Sequence, residues 1–156
     1  MSTTESLPAL VVRMVVDDPA AAIDFYVESL GGEEILRLAD DNLGGMIIHA
    51  EVKIGQSMIT LTQANPDHCN ASPAALGGSP VLLSLEVEDA DAIGAQMVAN
   101  GAEVVIPIAD RFYGKREGRL RDPFGHLWII TQTIEVLSEE EIRTRMREFF
   151  GGPSDD

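Results

Sequence analysis

Two stretches of this chain run in one register. Val15-Val16-Asp17-Asp18-Pro19 leads into Ala20–Leu30 and ends at Gly31-Gly32-Glu33-Glu34-Ile35. Glu86-Val87-Glu88-Asp89 leads into Ala90–Asn100 and ends at Gly101-Ala102-Glu103-Val104-Val105. Ile23 and Ile93, Gly31 and Gly101, Glu33 and Glu103, and Gly55 and Gly125 are each 70 residues apart, and Asp18 and Asp89 are 71 apart. A register held over most of each half reads as two copies of one module, which restricts the fold to one that uses a single unit twice.

Each copy opens on an apolar strand rich in β-branched residues, Leu10–Val16 and Val81–Val87. Asp18 and Asp89 stand at N-cap positions, because a short carboxylate there can accept from the free N–H groups of the first turn. The first helix mixes an apolar stripe (Ala22, Ile23, Phe25, Tyr26, Leu30) with an acidic face, and Gly31 and Gly101 stop the two helices. Strand-like segments follow at Glu34–Leu38, Met46–Ile54 and Ser57–Gln63, and again at Glu103–Ile108, Gly118–Arg121 and Leu127–Thr133. The unit is β-α-β-β-β used twice, an α+β domain. Module one covers about 8–64, an inter-module loop 65–80 and module two about 81–134. With 156 residues the whole chain, 1–156, is the size of one domain.

A two-residue turn at Gly55-Gln56 makes opposed residues sum to 111. Alternation then places Ile48, Ala50, Val52 and Ile54 with Ser57, Ile59 and Leu61 on the helix side. His49, Glu51 and Lys53 share the other face with Met58, Thr60 and Thr62, which either lines a cleft or meets solvent. A last helix, about 139–150, starts at Ser138-Glu139-Glu140-Glu141, a capping box, and carries Ile142, Met146, Phe149 and Phe150 as one stripe. Packing on its own domain is the preferred expectation over a clasp on a second subunit. Gly151-Gly152-Pro153 ends it, and Ser154-Asp155-Asp156 is expected to fray.

Charge narrows the partners. Asp and Glu total 26 against 11 Lys and Arg, a formal charge of −15. That field repels phosphate backbones and anionic headgroups, so nucleic acid and membrane surfaces are not expected partners, whereas a cationic small molecule is drawn in. The single cysteine, Cys69, forms no intramolecular disulfide, and no apolar run approaches the roughly 20 residues that span a bilayer. Met1–Ser6 lacks the basic start of a signal peptide, and the expected location is the cytoplasm.

Asp18-Pro19-Ala20-Ala21-Ala22-Ile23-Asp24-Phe25-Tyr26, with Leu30-Gly31 after it, resembles the opening of the vicinal oxygen chelate proteins. These are the glyoxalase, bleomycin-resistance and extradiol dioxygenase relatives. Phe112-Tyr113-Gly114-Lys115-Arg116-Glu117-Gly118 and Asp122-Pro123-Phe124-Gly125-His126-Leu127-Trp128 are similar to a bacterial glyoxalase-like subgroup. His49-Ala50-Glu51 through Ile54-Gly55, and Leu76-Gly77-Gly78-Ser79-Pro80, fit it too. The resemblance runs from about Val11 to Met146. It implies paired βαβββ modules forming a curled mixed sheet around a cleft, helices on the convex side, and a homodimer. In the family's enzymes, four inward residues hold a divalent metal that chelates the substrate.

Carried over by that resemblance, the ligand positions fall on Val11, Thr60, Leu82 and Ile129. The subgroup's alternatives, two or four residues further along, fall on Arg13, Ala64, Ser84 and Thr133. None is a histidine, carboxylate or thiolate, so no metal and no other cofactor is expected at the usual site.

The residues left to do chemistry are few. His49 and Glu51, two apart on a strand, are weak catalytic candidates as an acid–base or ligand pair. His126 follows a tight turn and is read as stabilising it, and His68-Cys69 lies in the inter-module loop with a bystander thiol. No Gly-x-Ser-x-Gly elbow surrounds Ser84, and neither Gly44-Gly45 nor Gly77-Gly78 has a phosphate-loop lysine. Arg111, Lys115, Arg116, Arg119 and Arg121 form a basic run that presents an anion site unless Asp110, Glu117 and Asp122 neutralise it, the preferred reading. Trp128 is expected under a helix. Arg13 pairs with Glu86 or Glu51, or binds a ligand carboxylate or phosphate.

The expected ligand-binding set is Arg13, His49, Glu51, Thr60, Thr62, Ser84, Glu86, Phe112, Tyr113 and Thr131, with Phe112 and Tyr113 stacking on a flat ligand. The leading expectation is metal-independent binding of a drug-like or cationic small molecule, as in the bleomycin-resistance branch. The alternatives are a metal-dependent lyase, isomerase or dioxygenase with its site displaced to His49 and Glu51, and a non-catalytic scaffold or regulatory subunit.

Overall fold

The computed structural model describes residues 9–151. The expectations for Met1–Ser6, for Gly152-Pro153 and for Ser154–Asp156 lie outside the described residues. Module one contains β1 (Val12–Val16), α1 (Pro19–Leu30), β2 (Glu33–Asp40), β3 (Met46–Ile54) and β4 (Ser57–Gln63). The inter-module segment holds a short helix, α2 (Pro73–Leu76), that the sequence reading leaves as loop. Module two contains β5 (Leu82–Glu86), α3 (Ala90–Ala99), β6 (Glu103–Asp110), β7 (Lys115–Arg121) and β8 (Leu127–Thr133), and α4 (Glu139–Phe149) follows.

The duplication is visible in the topology. One four-stranded sheet has the order β1-β4-β3-β2 and the other β5-β8-β7-β6, with the first strand of each module parallel to the last. The capping logic holds twice: Asp18 Oδ1 accepts from the Ala21 N–H at 3.1 Å and Asp89 Oδ1 from the Ala92 N–H at 3.0 Å. Gly31, at φ +66°, takes the left-handed turn that ends α1, a conformation costly for a residue with a Cβ.

The β3–β4 hairpin pairs Ile54 with Ser57, Val52 with Ile59 and Ala50 with Leu61, the register in which partners sum to 111. Ala50, Val52, Ile54, Ile59 and Leu61 are all buried. Ile48 is a correction. The β2–β3 pairing shifts between Leu38, opposite His49, and Ala39, opposite Ile47, and this bulge reverses the alternation. Ile47 is therefore buried at 6% exposure, and Ile48 stands out at 44%.

The two modules meet through α1 and α3 and through an aromatic group. Tyr26 of α1 lies 5.6 Å from Trp128 and 6.2 Å from Phe124, and Phe25 lies 6.0 Å from Phe124. Trp128 is buried beneath the helices, as its alternation with Ile129 requires. At the centre is the carboxylate of Asp122, itself buried. It accepts from the Tyr26 hydroxyl (2.5 Å), Trp128 Nε1–H (3.0 Å), and the backbone N–H groups of Phe124 (3.0 Å) and His126 (2.9 Å). Burial, then the adjacent Asp122 charge, pushes the Tyr26 phenol well above its ordinary range. His126 does more than stabilise its turn: Nε2–H donates to the Val15 carbonyl at 2.9 Å, a bond back to module one.

The last helix departs from expectation. Ser138 Oγ caps it through the Glu141 N–H at 3.2 Å, while the Glu141 carboxylate turns to Arg145 at 3.0 Å. Arg145 also ties it to Glu135 at 2.6 Å. No residue of α4 is buried, and Met146, Phe149 and Phe150 remain 41%, 68% and 72% exposed. The helix packs on its own module through Ile142, which is half-buried, and through Phe149 and Phe150, whose ring centres lie 5.2 and 6.2 Å from that of Phe112, while most of the stripe stays open.

Candidate functional site

The expected ligand-binding residues fall into two groups on two sheets. On the module-one face turned away from α1, register places Arg13, Thr60 and Glu51 in one row across β1, β4 and β3. Thr60 and Thr62 are buried on this face, with Thr60 Oγ1 turned to the Val12 carbonyl and Thr62 Oγ1 donating to the Ile48 carbonyl at 3.1 Å. Arg13 donates from Nη1 to His49 Nδ1 (3.1 Å) and from Nη2 to the Ile48 carbonyl (3.0 Å), and His49 Nε2 lies 3.0 Å from Glu51 Oε1. Since an arginine only donates, Nδ1 is the acceptor and Nε2 carries the proton given to Glu51. This corrects the pairing of Arg13 with Glu86 or Glu51: its partner is His49, with Glu51 one bond beyond.

The module-two group sits on the corresponding face of the other sheet. Glu86 accepts from Thr133 Oγ1 at 2.5 Å, Thr133 in turn accepts from Lys115 Nζ at 2.6 Å, and Lys115 lies 3.8 Å from Glu86. Ser84 is exposed and opposite Ile129. Thr131, buried, lies between Glu86 and Glu117 in register, and its hydroxyl has no hydrogen-bond partner among the described residues. Among the described residues no hydrogen bond or ion pair joins this group to the Arg13–His49–Glu51 chain.

The basic run resolves residue by residue. Arg116 pairs with Asp91 (2.7 Å) and Asp110 (2.9 Å), and Arg121 pairs with Glu103 (3.0 Å). Arg116 holds the Asp91 carboxyl below its ordinary range and is itself raised by the two carboxylates. Arg111 donates to the Pro107 carbonyl (2.6 Å) and the Glu117 carbonyl (3.1 Å). Of the three expected neutralisers only Asp110 serves. Asp122 is committed to the aromatic group, and the Glu117 carboxylate accepts from the Tyr113 hydroxyl. Arg119 has no hydrogen bond or ion pair among the described residues, and its Nε is buried without a partner.

Arg119 lines a cavity of about 400 Å³ with Phe112, Tyr113, Phe149, Ile106 and Ile129. Phe112 and Tyr113 come from the β6–β7 loop, edge to face with centres 5.0 Å apart, and Phe149 reaches in from α4. The loop aromatics were legible in the sequence, and Arg119 was named there only as one of five basic residues of a run read as neutralised; Ile106 and Phe149 were not linked to the site. The missing signal was the β7–β8 register, in which Arg119 faces Ile129.

Tyr113 reports on this loop. Burial, then its bond to Glu117, pushes its phenol up to about 12. A folded-state pKa above the unfolded one stabilises the protein at lower pH and is lost as pH rises from about 10 through 12. The chain has only two tyrosines, both raised. Native protein at pH 11 is therefore expected to show little phenolate absorbance at 295 nm, and urea-unfolded protein most of the full amplitude. Glu117→Gln should move the first phenolate step down; an unchanged step would dissociate Tyr113 from Glu117.

Two βαβββ modules, with a polar cluster on one sheet face and an aromatic cavity on the other, define a class. The chain belongs to the glyoxalase/bleomycin resistance protein/dioxygenase superfamily, whose model matches residues 9–130. It is 37% identical over 142 residues to the uncharacterized protein Mb0911c of Mycobacterium bovis, covering 89% of this chain and 92% of that one. Its fold is similar to the crystal structure of TioX from Micromonospora sp. ML1 (27% identity, TM-score 0.61, 84% of this chain and 100% of that one). It is also similar in fold to the fosfomycin resistance protein FosX of Listeria monocytogenes, solved with Mn(II) and sulfate (16% identity, TM-score 0.63, 89% and 97%).

The donor set does not fit the metal that the family's enzymes hold. Val11, Leu82 and Ile129 offer no donor atom, and Thr60 Oγ1 is turned to the Val12 carbonyl at 3.5 Å. Among the described residues no three His, Cys, Asp or Glu side chains gather in metal-binding range. At the displaced position both His49 nitrogens are engaged, one by Arg13 and one by Glu51, so a cation there would have to break that chain.

Proposed function

We propose that this chain is a metal-independent small-molecule-binding protein, working as a homodimer that captures a flat, drug-like ligand without transforming it. The observation that carries the reading is a pairing on one sheet face. Ile129, at a metal-ligand position of the family's enzymes, is a wall of a cavity that Ile106, Phe112, Tyr113 and Phe149 line together with the charged Asp110, Arg111, Glu117 and Arg119. Its volume of about 400 Å³ falls within the range of small-molecule pockets. Phe112 and Tyr113 offer rings for stacking, and among the described residues no serine, threonine, cysteine or lysine lines the cavity with them. The homodimer is favoured by the two separated groups of polar residues and by the exposed Phe149 and Phe150, which a second copy would cover.

The test is a thermal-shift and calorimetric screen of aromatic metabolites and antibiotics, with and without Ni²⁺, Zn²⁺ and Fe²⁺. A ligand at a hundredfold excess over its Kd is expected to stabilise the native state by about 2.7 kcal/mol. Phe112→Ala should weaken that binding about tenfold or more, with metal making no difference. A stoichiometric cation whose binding disappears in His49→Ala would replace this reading with turnover at the displaced site.

A further inference from the structure

Among the described residues, Arg119 is the one guanidinium of the basic run without a hydrogen bond or ion pair. Lys115, Arg116 and Arg121 face carboxylates, and Arg111 is held by backbone carbonyls. Arg119 stands between Ile129 and Ile106 in register, so both strand neighbours are aliphatic. A buried N–H without an acceptor is costly and uncommon, and a charged one more so. One row along on the same face, the Thr131 hydroxyl is likewise buried and unpartnered. An unused guanidinium N–H in the lining of the cavity, with a second unpartnered hydroxyl one row behind it, describes half of an interaction.

The other charges at the cavity do not complete it. Asp110 is held by Arg116, and the Glu117 carboxylate receives the Tyr113 hydroxyl. Arg111 adds a second positive charge to the lining. The lining thus carries two cations, Arg111 and Arg119, and two anions, Asp110 and Glu117, and among the described residues only Arg119 of these four has no hydrogen bond or ion pair. At contact distance a partly buried fork outweighs the field of distant, screened surface acids.

Resting on the binding reading above, we propose that the ligand is a planar aromatic or heteroaromatic anion. Its ring lies among Phe112, Tyr113 and Phe149, and its carboxylate or similar planar anionic group is taken by the Arg119 fork. A guanidinium matches a planar carboxylate through two parallel N–H bonds, which a lysine cannot reproduce. The long-range attraction for cations does not set the specificity of this cavity.

Three probes with one ring system separate the charges: 2-naphthoate, 2-naphthamide and 2-naphthylmethylammonium, titrated calorimetrically into the full chain at fixed ionic strength. The anion is expected to bind at least tenfold tighter than the amide, and the cation weakest. Arg119→Gln should bring the anion to within about twofold of the amide and leave amide affinity and thermal midpoint unchanged. Arg119→Lys should recover only part of the preference, and Arg121→Gln, which removes a guanidinium already paired with Glu103 outside the cavity, should leave the preference intact. An anion preference that survives Arg119→Gln, or an equal loss for all three probes, overturns the assignment of Arg119. Amide binding without any anion preference also overturns it, yet leaves the binding reading standing. Failure of all three probes to bind the wild-type chain overturns the cavity reading itself.

Discussion

Asp122→Ala is expected to destabilise the protein by about 3–5 kcal/mol, the range seen when a buried group strands several polar partners at once. The substitution removes the acceptor that the Tyr26 hydroxyl and the Trp128 indole N–H share, and uncaps the turn whose Phe124 and His126 amides Asp122 holds. At 2–4 °C per kcal/mol for a domain of this size, the midpoint should fall by about 10 °C or more. Tyr26→Phe alone leaves Asp122 its other donors and should cost about 1–2 kcal/mol. In the Asp122→Ala background the same change should cost little, because the bond it removes is already gone. Urea denaturation of the four proteins completes the cycle. A loss below 1 kcal/mol for Asp122→Ala would mean that the aromatic group holds the modules together without its carboxylate.

Gly118→Ala is expected to cost about 3 kcal/mol for a different reason, want of space. Its backbone is not in the left-handed region, so a side chain is conformationally acceptable there. A Cβ would nevertheless stand 2.6 Å from the Ile106 carbonyl oxygen, 2.7 Å from the Ile108 amide nitrogen and 2.7 Å from Ile108 Cγ1. Two of these are backbone atoms, so β6 itself must move, and overpacking a closed site costs 1–3 kcal/mol or somewhat more. Gly94→Ala also meets Ile108, at 2.5 Å, but at the far end of its side chain, and should be cheaper. Because Ile106 is a wall of the cavity, Gly118→Ala should also weaken 2-naphthoate. Chemical denaturation and calorimetry on the two alanine variants check both parts; equal stability losses at 94 and 118 would contradict the backbone argument.

The parts of the fold that follow from local rules were legible in the sequence. Duplicated capping aspartates, stop glycines and the two-residue turn at Gly55-Gln56 are short-range signals, and each is found where expected. Ile48 escaped because Ile47 and Ile48 are both aliphatic, and a bulge that exchanges them leaves no mark in the pattern. The basic run was misjudged for a long-range reason. Asp91 and Glu103, which pair with Arg116 and Arg121, lie outside the run on other elements, whereas the nearby Glu117 and Asp122 are committed elsewhere. That reassignment is what leaves Arg119 free, and spacing alone does not disclose it. Likewise the Tyr26–Asp122 bond joins residues 96 apart, a closeness that only the packing of module on module creates. The amphipathic last helix was legible as a helix, but what its stripe covers depends on tertiary position.

Duplication would suggest interchangeable halves, yet the turn around Asp122 breaks that equivalence. The corresponding hairpin of module one closes with Gly55-Gln56, whereas module two spends Asp122-Pro123-Phe124-Gly125-His126 on reaching its sibling. Severed between Leu76 and Leu82, the first fragment would expose Tyr26 and Phe25, and the second would carry a carboxylate deprived of its phenol. Neither piece should hold its shape in isolation, but the two mixed should reassemble, since what each lacks the other presents. Each half thus depends on the other for a partner that its own sequence does not supply.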